Sequence, residues 1–326
     1  MSQLLYLSRN DVETLGVGMA DVLRVVEEGF RLKGLGLTEM PPKPGIHPRD
    51  DAFIHAMPAY VREVEAAGLK WVSGYPQNPA QGLPYISGLL VLNDPATGLP
   101  IAVMDCGWIT AMRTGASVGV AARHLARQDA RTAAFLGCGV QARPSLMALV
   151  EALPSLSHVR CLDLHRSAAS AFIGEMSAQF RQLQFTLVDS PRELAHGADV
   201  VVTAIPIVTR PDPPMTAGLL EAGALAVSLD YDSAWTAGAM AECDQFVSDD
   251  VDQLLATKAH HVYFGGIPST IHADLGELAC GAKPGRRHAD QRIFAMNMGI
   301  AIDDMVTAKL LYERAMATGA GTRLPL

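Results

Sequence analysis

No stretch of the sequence is apolar for the roughly 18 residues that a membrane-crossing helix needs. The strongest run, Val200 to Val208, is strand-sized and contains Pro206. Positive charge is also short: 26 Lys and Arg stand against 34 Asp and Glu, a formal net charge of -8. Such a balance offers no general field for a polyanion, so neither nucleic acid nor a membrane is an expected partner. The five cysteines, Cys106, Cys138, Cys161, Cys243 and Cys280, are odd in number, widely spread and never in a C-x-x-C pair. That pattern argues against a disulfide framework and a zinc site, and for a reducing cytoplasm. The opening text MSQLLYLSRNDVETL lacks the basic region, apolar stretch and cleavage site of a secretory leader, so none is expected. Charged residues are only 18% and aromatics 6%, but 49% of the 326 residues are apolar. Disordered, collagen-like and coiled-coil chains are thereby excluded, and a large core split between two lobes is predicted.

Ser8 followed by Asp11 resembles a capping box, and Val22, Val26 and Phe30 recur at four-residue spacing, so the chain is predicted to open with helices. From Phe53 to Met104 the text turns β-branched and aromatic, broken by Gly and Pro, and Asn93 to Gly98 reads as a hairpin loop. Helices on a largely antiparallel sheet are the expected first lobe. After Arg113 six short apolar runs, TAAFLGCGV, HVRCLDL, QFTLVDS, ADVVVTAIP, ALAVSLD and DQFVSDD, alternate with helix-compatible stretches. That alternation marks a doubly wound parallel sheet. The closing segment NMGIAIDDMVTAKLLYERAMA carries Ile302, Val306 and Leu310 at i, i+4, i+8 and predicts one long amphipathic helix returning to the first lobe. The predicted fold class is therefore α/β: a discontinuous arrangement of a Rossmann-type parallel-sheet domain over 118–296 and an α+β domain over 1–117 and 297–326.

Gly137-Cys-Gly139-Val-Gln-Ala142 follows the strand text TAAFL and precedes a helix-like segment, which is G-x-G-x-x-A in its expected setting. The first glycine permits the tight turn, the second lets a pyrophosphate approach the backbone, and the alanine leaves room for helix–strand packing. Asp163 closes the following strand, where a carboxylate accepts hydrogen bonds from ribose hydroxyls and repels a 2′-phosphate, favouring NAD. His165 and Arg166 come directly after it and can offset that repulsion or simply lie in solvent, so NADP stays possible. Val140 and Gln141 lie within the loop, and the expected cofactor set also takes in Thr114, Thr203 and Ala204.

Lys70 stands between Leu69 and Trp71 in strand-like text, where alternation alone would equally place it in water. Arg113 lies where the first lobe hands over to a small-residue helix, so it can reach a ligand held between lobes or form an interlobe salt bridge. His260-His261 reads as a polar loop, Glu277 and Arg286-Arg287 as structural ion pairs, and the Met-rich text from Phe294 to Met298 as core. No metal is expected.

The strings PPKPGIHP, FIHAMPAY, GLKWVSGYPQN, LLVLNDPATGLPIAVMD, ITAMRTGAS, FLGCGVQA, GEL with a following PGRR, and NMGIAIDDMVTAKLLYERA resemble, in order and spacing, the ornithine cyclodeaminase and mu-crystallin family. The resemblance spans nearly the whole chain. It implies an NAD(P)-dependent protein acting on a small amino acid or imine, with carboxylate-binding cations at Lys43, Lys70 and Arg113 and a catalytic aspartate at Asp230. It further implies that Asn297 faces the nicotinamide, and that the first domain is a substrate-binding and dimerisation domain whose sheets join two subunits in a homodimer. Two departures stand out. Tyr231 to Trp235 replaces a P-G-K-like segment, which lets Asp232 compete with Asp230, and His55 stands where ornithine cyclodeaminase resembles a glutamate-bearing E-L-M-P string. An imidazole cannot replace a carboxylate in holding a distal ammonium, which disfavours ornithine as substrate.

The expected chemistry follows from those residue types. Arg113 grips a substrate carboxylate with help from Lys43 and Lys70, and Asp230 moves protons, while Lys70 with a depressed pKa can join the acid–base work. Selectivity is expected at His55 and Tyr75. Hydride transfer followed by water attack makes an amino-acid dehydrogenase, and its reverse an imine reductase. Attack by the substrate's own distal amine makes a cyclodeaminase, and a mu-crystallin-like ligand-binding role is the remaining reading.

Overall fold

The computed structural model describes residues 3–260 and 263–326. Its elements run β1 (Gln3–Leu7), α1 (Arg9–Thr14), α2 (Met19–Gly34), β2 (Thr38–Glu39), β3 (Gly45–Arg49), β4 (Ala52–Val61), β5 (Ala66–Gly74), β6 (Ile86–Asn93), β7 (Pro100–Asp105) and α3 (Gly107–Leu125). They continue with β8 (Thr132–Leu136), α4 (Ala142–Ala152), β9 (His158–Leu162), α5 (Arg166–Gln179), β10 (Gln184–Leu187), α6 (Pro191–Ala195), β11 (Val200–Thr203), β12 (Leu225–Ser228), α7 (Ala237–Ala241) and β13 (Gln245–Ser248). The last elements are α8 (Val251–His260), β14 (Ala273–Asp274), α9 (Leu275–Ala279), β15 (Ile293–Met296), α10 (Ala301–Thr318) and β16 (Thr322–Pro325). Two compact units emerge, one of Met1–Arg113 with Ile300–Leu326 and one of Thr114–Gly299. The division falls inside α3.

The first unit is built on an eight-stranded sheet in the order β16-β1-β7-β6-β5-β4-β2, with β3 paired to β4. All its pairings are antiparallel except β1 with β7. Local chemistry sets its ends as the sequence foretold. Ser8 and Asp11 form a reciprocal capping box that satisfies the first amides of α1, and Asn93 Nδ2 donates to Gly98 O across 2.9 Å to close the β6–β7 hairpin. One face of the sheet is dry, carrying Met57, Val72, Leu90, Leu92 and Met104, and α10 packs against it together with α2. The other face leaves Trp71 45% and its cross-strand partner Leu89 47% exposed.

The helix α10 departs from the expected amphipathic pattern. Every residue from Ala301 to Ala308 is buried, Asp303 and Asp304 included, and exposed positions begin only near Glu313. A helix sunk into a core buries its whole circumference, so the apolar stripe read from spacing described only part of its contact surface.

The second unit holds an eight-stranded sheet, all parallel, in the order β10-β9-β8-β11-β12-β15-β13-β14. Its six sequence-predicted strands are present. The short β14 and the central β15 were not foreseen, because IFAM is a four-residue apolar run with no alternation to mark it as strand. Strands β11, β12, β13 and β15 are buried at every position, as helices on both faces of a parallel sheet require. Strand order reverses between β8 and β11, and in open α/β sheets ligands gather at the carboxyl ends of the strands flanking such a reversal. Among the described residues no helix is long and apolar enough to cross a membrane, and all five cysteines are free thiols.

Candidate active site

In the second unit the turn after β8 sits at the sheet reversal. Gly137 has φ +89°, and a Cβ there would lie 2.5 Å from Ala204 O at the end of β11, so only glycine fits. Gly139 faces open space instead, where a Cβ would meet nothing within 4 Å, which leaves its backbone open to a ligand. Val140 beside it is 71% exposed. Asp163, just after β9, is fixed by two backbone donors: Cys138 N donates to Oδ2 and His165 N to Oδ1, each across 2.8 Å. Each oxygen retains lone-pair capacity for a hydroxyl. Gln141 precedes α4 and its Oε1 is buried without a hydrogen-bond partner. Thr114 lies on α3, nearly buried.

The structure gives two of the expected cofactor residues partners of their own. Thr203 is fully buried; its hydroxyl donates to Asp230 Oδ1 across 2.9 Å and accepts from Trp235 Nε1 across 3.0 Å, so it orients Asp230 and has no hydroxyl hydrogen left for a cofactor. Arg166, for which a 2′-phosphate or solvent was expected, opens α5 on the surface and forms an exposed ion pair with Asp189. A contributor the sequence reading missed is Arg143, whose Nη1 donates to Gly139 O across 3.0 Å and whose Nε pairs with Glu175 across 2.6 Å, bracing the glycine loop from behind.

At the carboxyl end of β12, Asp230 is buried and accepts three hydrogen bonds: from Thr203, from Ser228 Oγ across 2.7 Å, and from Ile205 N across 3.0 Å. Burial pushes its carboxyl up to about 6, against the pull of those donors. Tyr231 follows with φ +59°, an uncommon conformation for a bulky residue that turns the chain sharply after the aspartate. Asp232, the rival, instead accepts from Phe264 N across 2.7 Å and ties down the segment around Phe264. Asn297, just past β15, donates to Ser117 Oγ across 3.1 Å, and its Oδ1 is buried with no partner.

In the first unit, alternation along β5 puts Lys70 on the dry face and Trp71 on the exposed one, the reverse of what their polarity implies. Lys70 Nζ donates to Asp304 Oδ1 across 2.7 Å and reaches Thr110 Oγ1 at a long 3.4 Å. Arg113 Nε donates to the same Asp304 oxygen across 2.9 Å, so this ion pair lies within the first unit, not across a lobe boundary. Burial, reinforced by Arg113 and opposed by Asp304, brings the Lys70 ammonium down to about 8. Burial likewise pushes the neighbouring Cys106 thiol up to about 11.

His55 shares the face of β4 that carries Met57 and pairs across to Val72, with its ring stacked on Phe53 at 4.3 Å and edge-on to His47 at 6.2 Å. Lys43 lies half-buried in the loop between β2 and β3. Tyr75 follows β5 and donates its amide to Tyr85 O across 2.9 Å. Asp304 itself had a sequence signal: Ala301, Ala308 and Leu311 surround it at i−3, i+4 and i+7, so it is an acid on an apolar stripe.

Glu277 and Arg286 make contacts within the fold. Glu277 completes a capping box with Asp274 and pairs with Lys283 across 3.2 Å. Arg286 donates to the carbonyls of Leu125, Ala224 and Gln291 at the amino-terminal edge of the sheet, away from the glycine turn. Helix α8 runs through His260, which corrects the expected loop, and His261 lies outside the described residues. Among the described residues no three His, Cys, Asp or Glu side chains are grouped to hold a metal ion.

Residues 3–319 match the model of the ornithine cyclodeaminase/mu-crystallin family. The alanine dehydrogenase of Archaeoglobus fulgidus is 33% identical, over 99% of this chain and 98% of that protein. The structure of Thermococcus litoralis Delta(1)-pyrroline-2-carboxylate reductase, in complex with NADH and L-proline, is 33% identical with a TM-score of 0.88, covering 98% of this chain and 99% of that one. An archaeal alanine dehydrogenase dimer with bound NAD is 32% identical, again with a TM-score of 0.88 and 99% of both chains covered. The chain belongs to the ornithine cyclodeaminase/mu-crystallin family.

Proposed function

We propose that this chain is an NAD-dependent oxidoreductase of the CH–NH bond, oxidising a small α-amino acid or reducing the corresponding imino acid. One observation carries the substrate side. Lys70 has three N–H donors and commits one to Asp304 at 2.7 Å and one, weakly, to Thr110 at 3.4 Å, leaving at least one for a ligand in a buried, cationic setting. A carboxylate is the group that such a donor beside a guanidinium receives most strongly. Lys43 adds a further point charge in the same unit.

The second unit's residues fit a dinucleotide. The open backbone at Gly139 and the exposed Val140 are the donor side and surface that a pyrophosphate would meet, and the fixed carboxylate of Asp163 and the partnerless Gln141 Oε1 and Asn297 Oδ1 are the acceptors for ribose hydroxyls and a carboxamide. When bound, NAD supplies hydride acceptance, and NADH hydride donation. Asp163 favours NAD over NADP by repelling a 2′-phosphate. The protein's own part is to hold and protonate. Lys70 and Arg113 hold the carboxylate and thereby the α-carbon, and Asp230 takes a proton from the substrate nitrogen or attacking water in oxidation and returns it in reduction.

Two further features belong to the same proposal. The active form is a homodimer joined through the first unit's sheet, supported by the exposed pair Trp71 and Leu89 and by the dimeric archaeal relative. The enzyme works in a reducing compartment, consistent with five free thiols.

The test is incubation of the purified protein with a panel of L-amino acids and NAD, and with imino acids and NADH, following reduced cofactor and ammonia. Net cofactor turnover is expected. Ammonia release with no net change in cofactor would instead establish a cyclodeaminase, a reading that the His55 imidazole disfavours for want of a carboxylate to hold a distal ammonium.

A further inference from the structure

Lys70 and Arg113 reach their shared oxygen from different parts of the chain. Lys70 lies on β5 and Arg113 on α3, 234 and 191 residues from Asp304 on α10. The side chains of Lys70, Arg113 and Asp304 are 0%, 6% and 0% exposed. Asp304 stands in the first turn of its helix, where the backbone dipole favours an anion. Its Oδ1 receives both cations, and its Oδ2 is buried without a partner.

A buried ammonium beside a guanidinium is unstable by itself. Desolvation and like charge both favour release of its proton, and a neutral amine cannot grip a carboxylate. The groups acting on Lys70 are Arg113 from α3, which favours the neutral amine, and Asp304 from α10 and Cys106 ahead of α3, which favour the ammonium. Burial keeps the Cys106 thiol protonated, so Asp304 supplies the only full negative charge among them. We propose that Asp304 is the positioning residue of the substrate site: through one oxygen it keeps Lys70 an ammonium and locks it to the Arg113 guanidinium, so that the two receive a substrate carboxylate as a unit. This deepens the function proposed above and rests on its carboxylate-binding role for Lys70. A merely structural Asp304 would affect stability and leave the protonation of Lys70 alone.

The test measures the Kd of the NADH-loaded protein for pyrrole-2-carboxylate, a planar carboxylate with no bond to reduce, from about pH 6 to about pH 10. The wild-type affinity is expected to break near pH 8, where Lys70 titrates, and to fall about tenfold per pH unit above it. Asp304→Asn moves the break at least about one unit lower, weakening binding at pH 8 by about fivefold or more, while Lys70→Met abolishes the break. A break that vanishes in Lys70→Met but stays in place in Asp304→Asn overturns the role of Asp304 and leaves the substrate assignment standing. Unchanged binding in Lys70→Met overturns the substrate assignment, and the role of Asp304 with it. Should Asp304→Asn fail to fold, as read from NADH affinity and Tm, Asp304→Glu decides. A retained break with binding weakened about threefold or more supports the proposal, since the charge stays but its position changes. Unaltered break and affinity refute it.

Discussion

The two units solve opposite problems with polar groups. The glycine turn of the second unit leaves its backbone exposed, with Gly139 facing open space and Val140 in solvent, and depends on where the chain bends. The Asp304 cluster of the first unit is dry, with three ionised side chains from distant segments in contact at one oxygen. A nucleotide's phosphates need amides and room, which a contiguous strand–turn–helix segment provides locally. Selective grip on a small carboxylate needs desolvated charge, and desolvated charge needs a counterion from elsewhere in the fold.

This contrast can be broken most forcefully at the cations. Arg113→Met and Lys70→Met are each expected to lower kcat/KM for the amino acid by roughly a hundredfold to a thousandfold or more, the scale of removing one partner from a buried charged pair. NADH affinity should stay within about twofold. Loss of NADH binding in these variants would mean the two regions are not separable. Asp230→Asn is expected to reduce kcat by about two to four orders of magnitude, again with nucleotide binding retained.

The glycines sharpen the other side. Gly137→Ala meets both a positive φ and the Ala204 carbonyl at 2.5 Å, so it is expected to lower stability by about 1–3 kcal/mol and to abolish tight NADH binding. Gly139→Ala has open space around it. It should leave Tm unchanged and raise the KM for NAD about tenfold or less, because the only thing it crowds is a ligand. Equal Tm losses in both variants would contradict the distinction.

Smaller effects follow from the two buried titrations. Asp230 has a folded value of about 6, above the ordinary 3.8, so its protonated form is the one folding favours. Its contribution to stability is present below about pH 4 and lost as pH rises through 6. In catalysis the same shift makes imine reduction fall above pH 6, where the acid is spent, and amino-acid oxidation rise there. Lys70 has a folded value of about 8, below the ordinary 10.5, so the unfolded chain holds that proton more tightly. Stability should therefore gain between about pH 8 and pH 10.5, a Tm difference of a few degrees that Lys70→Met removes.

What was legible in the sequence followed the same divide. The glycine turn, Asp163, the Ser8 cap and the Asn93 to Gly98 hairpin are local patterns whose chemistry lies within a few residues. Asp230 was named through the family resemblance, with Asp232 left as its rival. The burial of Lys70 was not legible, since alternation fixes which neighbours share a face but not which face is dry; only the packing of α10 decides that. The role of Asp304 is invisible in its own segment, because its partners lie 191 and 234 residues away. Strand β15 was hidden for a related reason: a central parallel strand is uniformly apolar and reads as core. Thr203 was expected in the cofactor set, and the bond its hydroxyl makes to Asp230 across the sheet was not legible.

The most direct measurement is a single turnover of the enzyme with deuterated NADH and a small cyclic or open imino acid, with the product analysed by mass spectrometry. Stoichiometric appearance of deuterium on the α-carbon of an L-amino acid is expected, with about a hundredfold or greater slowing in Lys70→Met at substrate concentrations below KM. Tight NADH binding with no deuterium transferred to any imino acid offered would contradict the proposed chemistry.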